Sequence, residues 1–254
     1  MSNYICVFDT ETTSLDRPFC YDIGYVIVDT ETSEIVQQNH FIIEQNWHNL
    51  PLFESAYYKE KRPEYVKLMR TKKATLVKWG KATQTMIRDF KQYNITSAYA
   101  YNSDFDEKVF IFNCDWFKTI NPFENVAVYD IWGYASQFIT NTEEYTDFCE
   151  QHERFTDTGN YKGSAEVVFQ YITSQPDFEE KHMGLYDSEI EASILFYCLD
   201  NGAELETEYK VKKILTRPQE KPFTVKVNGT IIYEGQYVKK YVRNDMYSFT
   251  VRGD

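Results

Sequence analysis

The chain has 254 residues, enough for one full-sized catalytic domain and a small appendage, with a core large enough to fold without disulfide or metal staples. Its five cysteines (Cys6, Cys20, Cys114, Cys149 and Cys198) form an odd set with no Cys-x-x-Cys spacing, which argues against a disulfide framework or a zinc cluster and for reduced thiols used as small apolar side chains. The formal charge is −12, no uninterrupted apolar span has membrane length, and the first residues run into a strand pattern with no secretion-signal character, so a cytoplasmic location without a membrane partner is expected.

In chain order, residues 4–9, 21–29 and 34–43 are β-branched and aromatic, and predict three strands with short links, an antiparallel meander. A basic, irregular stretch follows, helical over Lys59 to Met69. Trp79, Ala82, Met86, Ile87, Phe90 and Tyr93 then recur at helical spacing. Residues 97–101 and 126–129 predict strands, and residues 105–112 and 131–138 predict helices. That alternation requires crossover connections and parallel pairing. Further helices are predicted over 164–173 and 185–201, the last stopped at Gly202. The expected fold class is α/β, a mixed sheet flanked by helices.

After Thr216 the character changes. Pro218 and Pro222 bracket a break, and residues 223–227, 230–233 and 247–251 predict strands, the first two joined by the hairpin dipeptide Asn228-Gly229. The chain is therefore divided into a main domain, 1–216, and a small β appendage, 217–254.

The net charge runs against binding of polyanions, whose sequence-independent affinity comes from neutralised phosphates. It is unevenly distributed, however. Residues 59–81 carry nine Lys or Arg against Glu60 and Glu64, and residues 208–254 carry ten against five acids. A basic segment on an acidic body could guide a nucleic acid strand toward an acidic pocket, or these lysines could simply solvate helix faces.

Three short motifs carry the chemistry. In Val-Phe-Asp-Thr-Glu-Thr-Thr, Asp9 and Glu11 are two apart at the end of a strand, so both carboxylates face one side with Thr10 turned away. Such a pair repels itself unless a cation intervenes, and an all-oxygen site suits Mg²⁺ or Mn²⁺. In Tyr-Asn-Ser-Asp-Phe-Asp, Asp106 lies just inside a helix that follows a strand. Asp104 is its rival; Asp106 is preferred because Asn102 and Phe105 precede it as in a strand-to-helix turn, which leaves Asp104 as the helix cap. In His-Met-Gly-Leu-Tyr-Asp, Asp187 begins a helix and shares a face with Ile190, Glu191, Ile194 and Cys198. His182 precedes that helix on a mobile loop at the pocket rim, where a neutral imidazole can act as a general base. His40, His48 and His152 have no partner at such spacing and are assigned structural or surface roles.

Together these motifs resemble the DEDDh branch of the DnaQ-like 3′-to-5′ exonucleases, over roughly residues 4–200. The resemblance implies a ribonuclease H-like fold, two bound Mg²⁺ or Mn²⁺ ions with Asp9, Glu11, Asp106 and Asp187 as ligands, and His182 as base. By the same resemblance Thr12 and Leu15 contact or wedge the terminal nucleotide, and Asn102 lines the pocket. Ser14 stands where many relatives have glycine, and Tyr101 where many have histidine. The implied reaction is in-line hydrolysis of the last phosphodiester of a single-stranded DNA or RNA 3′ end, releasing a nucleoside 5′-monophosphate, in replication, repair or RNA turnover.

The competing expectation is a catalytically inactive nuclease-like module that binds nucleic acid or a replication partner; five mutually repelling or costly groups kept together argue against it. The appendage offers strand edges for a homodimer or a replication-protein partner, and Lys239, Lys240 and Arg243 for gripping substrate.

Overall fold

The computed structural model describes residues 3–212, together with the backbone of residues 219–227, 230–241 and 247–251. The chain divides into two compact units, residues 1–140 with 163–212, and residues 141–162 with 213–254.

The first unit opens with β1 (Tyr4–Thr12), β2 (Cys20–Asp29) and β3 (Ile35–Ile43). Two single-turn helices, α1 (Glu44–Trp47) and α2 (Leu50–Phe53), and a 3-10 turn (Lys59–Lys61) lead to α3 (Arg62–Arg70). Then come β4 (Thr75–Val77), α4 (Trp79–Gln92), β5 (Ser97–Ala100), α5 (Ser103–Phe117), β6 (Ala127–Asp130) and α6 (Ile131–Phe138). After α7 (Glu143–Gln151), which falls in the second unit, α8 (Ala165–Thr173) and α9 (Gly184–Asp200) complete the first.

The six strands are ordered β4-β3-β2-β1-β5-β6. The β1–β2 and β2–β3 pairs are antiparallel, whereas β1–β5, β5–β6 and β3–β4 are parallel. This is the mixed sheet expected from the meander followed by strand–helix alternation.

β1 is interior to the sheet and covered on both faces, which is why its sequence is apolar at successive positions instead of alternating. Ile5, Cys6, Val7 and Phe8 are all at most 2% exposed. Cys6 and Phe8 share a cluster with Trp79, Met86 and Phe90 of α4 and Val109 and Phe110 of α5. On the other face α9 crosses β1, β2 and β3. Because α9 also packs on α6 and α8, it is buried around most of its circumference, including Ile190, Glu191, Ala192, Ile194 and Cys198.

The single-turn helices α1 and α2 fall in the stretch expected to be irregular, and two further elements lie where the sequence carried no reading. β4 is three residues long and follows Lys72-Lys73, too short to show a period. α7 is capped by Thr142, whose hydroxyl accepts from the Tyr145 N–H at 3.3 Å.

The start of α5 also differs from expectation. It begins at Ser103, and its N-cap position is Asn102, in the left-handed region at φ 62°, ψ 49°. Asp104 is therefore not the cap; it sits exposed in the first turn. The helix entry is tied instead by Asp130 at the end of β6, whose Oδ1 accepts the Asn102 N–H at 2.8 Å and the Trp132 N–H at 2.9 Å. A carboxylate from the adjacent parallel strand thus does the work expected of a local cap.

The five cysteines are free and buried. Among the described residues no helix is long and apolar enough to cross a membrane.

In the second unit, an antiparallel bridge joins Phe155 to Tyr161 after α7. The remaining strands, β7 (Gln219–Val227), β8 (Thr230–Tyr241) and β9 (Tyr247–Val251), form an antiparallel sheet in that order. The predicted hairpin is present as the β7–β8 pair, although Asn228 and Gly229 themselves, like Arg243, lie outside the described residues.

Candidate active site

Asp9 and Glu11 end β1 opposite Gly24 and Asp22 of β2. Two glycines, Gly24 of β2 and Gly184 of α9, let a helix come down on this point. A Cβ placed on Gly24 would lie 1.9 Å from the carbonyl carbon of Gly184, and one on Gly184 would lie 2.5 Å from the Gly24 nitrogen and 3.0 Å from the Asp9 oxygen. The first residue of α9 therefore rests directly on the backbone of β2, and Asp187, one turn further on, is delivered to the end of β1.

Asp187 Oδ2 accepts the Met183 N–H at 2.6 Å, closing the first turn of α9. Its Oδ1 is buried without a hydrogen-bond partner, as is Oδ2 of Asp9. One ligating atom each from Glu11, His182 and Asp187 lie within 4.8 Å of one another.

Asp106 comes from α5 and is 3% exposed. Its Oδ1 accepts both the Thr10 N–H, at 3.1 Å, and the Thr10 hydroxyl, at 2.6 Å. Thr10 points away from the Asp9–Glu11 face, as its place in the strand requires, and is used there to anchor the third carboxylate.

Glu191 lies one turn beyond Asp187. It is 3% exposed, and its Oε2 accepts the Tyr101 N–H at 3.0 Å. The Tyr101 hydroxyl is occupied with the Gly163 carbonyl at 2.6 Å. Asp22, also fully buried, accepts the Tyr65 hydroxyl at 2.8 Å and the Gly184 N–H at 3.0 Å, and its Oδ1 faces His40 Nε2 at 2.9 Å. His40 is thus a buried structural histidine, while His48 is exposed.

Crowded carboxylates in little water favour their neutral forms. Burial, and then the charges of Asp106, Glu191, Asp187 and Glu11, push Asp9 up; burial and the charge of Asp187 do the same to Glu11. Asp106 is pushed up to about 7 by burial, against the Thr10 hydrogen bonds, and Asp187 to about 8 by burial and Glu180. Glu191 is raised by burial and by Asp106. Oxygen donors carrying excess negative charge, two of them with unpaired buried atoms, fit a hard divalent cation.

His182 lies in the loop that precedes α9. Its ring is half-buried and stacked on Tyr58, with centroids 4.2 Å apart and planes 10° from parallel. Burial, and then the Lys61 charge, hold it down at about 4, so the imidazole is neutral at pH 7.

Beside the cluster runs a cleft of about 470 Å³ lined by Glu11, Thr12, Leu15, Tyr57, Tyr58 and Phe105, among others. Leu15 and Tyr57 are 81% and 84% exposed there and give the cleft an apolar surface. Thr12 and Leu15 lie in this cleft; Asn102 is exposed at the head of α5 and is not among the described lining residues.

Sequence reasoning passed over Asp22, Tyr58 and Glu180, noted Thr10 only as turned away from the Asp9–Glu11 side, and noted Glu191 only as sharing the face of Asp187. The four-residue spacing of Asp187 and Glu191 was the readable signal, since it stacks two acids on one helix face. The other contacts join segments far apart in sequence.

No family model and no curated protein matches the chain. Its fold is nevertheless that of known 3′-exonucleases. It is similar to a 3′-exonuclease solved in the recognition of a histone mRNA stem-loop, at 15% identity and TM-score 0.51, over 98% of this chain and 74% of that one. It is also similar to exonuclease I from a complex described as SSB/exonuclease I with an inhibitor, at 13% identity and TM-score 0.51, over 76% of this chain and 41% of that one, so it spans about two-fifths of that enzyme's length. A DEDDh-family nuclease domain bound to rAMP aligns at 13% identity and TM-score 0.48 over 84% of this chain and 98% of that one. The architecture is the ribonuclease H-like α/β fold.

Proposed function

We propose that this chain is a metal-dependent 3′-to-5′ exonuclease that removes nucleoside 5′-monophosphates from single-stranded DNA or RNA ends. The observation that carries the reading is the meeting of β1, α5 and α9 at one point, which brings Asp9 and Glu11, Asp106, and Asp187 together with His182 beside an open cleft.

In this reading Asp9, Glu11, Asp106 and Asp187 hold two Mg²⁺ or Mn²⁺ ions, which supply charge neutralisation at the phosphodiester and activation of the attacking water. Thr10 fixes the carboxylate of Asp106. His182, neutral at pH 7, takes the proton of the attacking water. Glu180 Oε2 lies 3.8 Å from its Nδ1, beyond hydrogen-bond distance but near enough for its charge to stabilise the resulting imidazolium. Thr12 and Leu15 receive the terminal nucleotide in the cleft. Residues 217–254 serve as an appendage that contacts substrate or a partner.

The reading is tested by incubating the purified chain with end-labelled single-stranded DNA and RNA plus Mg²⁺ or Mn²⁺, beside an Asp9→Ala control. Stepwise shortening from the 3′ end that vanishes in the control supports it. Absence of shortening, with retained binding of either polymer, favours the inactive nuclease-like module.

A further inference from the structure

His182 enters α9 through a left-handed backbone turn at φ 49°, a strained conformation for a residue that bears a Cβ. Its placement must therefore be held from outside its own loop, and contacts from residues 58–65 do so. The Tyr58 ring stacks face to face on the imidazole at 4.2 Å. Lys61 Nζ donates to the Lys181 carbonyl, one residue before the histidine. The Tyr65 hydroxyl, which donates to Asp22, lies 3.4 Å from the His182 carbonyl.

Tyr58 is itself braced. Tyr57 meets it edge-on at 4.8 Å and 89°, and Lys61 Nζ sits 5.2 Å from its ring centre. Tyr58 also lines the cleft with Leu15 and Phe105. One side chain therefore touches the imidazole and walls the space that would receive the end of a strand.

We propose that Tyr58 is a positioning residue, whose ring holds the His182 imidazole against the acidic cluster and couples seating of the terminal nucleotide to the placement of the base. This inference rests on the exonuclease reading. A wall residue that only met the substrate would act on binding alone. A residue that aims the base acts on turnover, because removing an interaction used in the transition state lowers kcat.

The experiment compares wild type with Y58F, Y58L and Y58A in steady-state shortening of end-labelled single-stranded DNA and RNA with Mg²⁺ or Mn²⁺, with Asp9→Ala as blank. Y58F, which keeps the ring, retains turnover; Y58L and Y58A, the first keeping bulk in case the second is unstable, lose kcat by roughly ten- to a hundredfold with little change in KM. Unchanged kcat in Y58L, whether or not KM rises, overturns the proposal, as does a Y58F as impaired as Y58L. In parallel, the ring-proton NMR signal of His182, assigned by its loss in His182→Asn, is expected upfield in wild type and Y58F and to move downfield in Y58L. An unshifted signal in wild type refutes the stack whatever the activity. Wild type that shortens neither polymer beyond the blank refutes the exonuclease reading and the coupling with it, the NMR result still deciding whether the stack exists.

Discussion

Gly24 and Gly184 lie backbone to backbone: a methyl group on either would stand within 2.5 Å of a main-chain atom of the other. This contact joins the middle of β2 to the first residue of α9, and it sets the height at which Asp187 meets Asp9 and Glu11.

Gly24→Ala is accordingly expected to cost about 3 kcal/mol or more, at the upper end of the cost of overpacking, because backbone and not a flexible side chain must yield. Urea unfolding measures the loss, and whatever folded protein remains should bind divalent ions poorly. A variant as stable as wild type would mean that α9 does not rest on β2 as described.

The charge of the cluster should be visible in pH-dependent stability without added metal. Asp106 and Asp187 have folded-state values of about 7 and about 8, above their ordinary value of 3.8, so the native state binds more protons than the unfolded one between those limits. Their contribution is fully present below about pH 4 and is lost as pH rises through about 8. The melting temperature should fall over that window, and millimolar Mg²⁺ or Mn²⁺ should flatten or reverse the slope. His182 works the opposite way. Its depressed value of about 4 removes stability as pH falls from about 6.5 toward 4, a smaller, single-group effect. A melting curve indifferent to metal at pH 8 would count against a cation site.

His182→Ala should lower kcat by about 10²- to 10⁴-fold, the usual worth of a general base, while metal binding, followed by calorimetry, persists. NMR titration of wild type without metal should place the His182 midpoint near 4, far below the ordinary 6.5. A midpoint near 6.5 would show the ring to be solvated.

Thr10→Val removes the hydroxyl that donates to Asp106 at 2.6 Å and keeps the backbone donor at 3.1 Å. Asp106 then loses a bond that favours its charged form. Divalent affinity should drop about ten- to a hundredfold, as for other groups that orient a metal ligand. Stability should change by only about 1 kcal/mol, the worth of one hydrogen bond. Unaltered affinity would place Asp106 outside the cation site.

What the sequence could reveal was set by how local each cause is. The uninterrupted apolar run of β1 and the recurrence of Trp79, Ala82, Met86 and Phe90 are one-dimensional signals of burial, and both produced the expected elements. The alternation of Asp9 and Glu11 likewise follows from the strand alone. The entry to α5 was misread because its tie, Asp130, is 28 residues from Asn102 and acts across a parallel strand pair. The pairing of Asp22 with His40, and the seat of His182 on Tyr58, are also made only by the folded chain. Local propensity could assign elements and motifs, but not which distant side chain completes each one.

The acidic groups are drawn from positions 9, 11, 106 and 187, with the last of them on the final helix of the first unit. Synthesis from the N-terminus thus delivers the pieces of the cluster in order, and a nascent chain lacks its closing carboxylate until α9 has left the ribosome. In the proposed reading, catalytic power would arrive only at the end of that domain's translation.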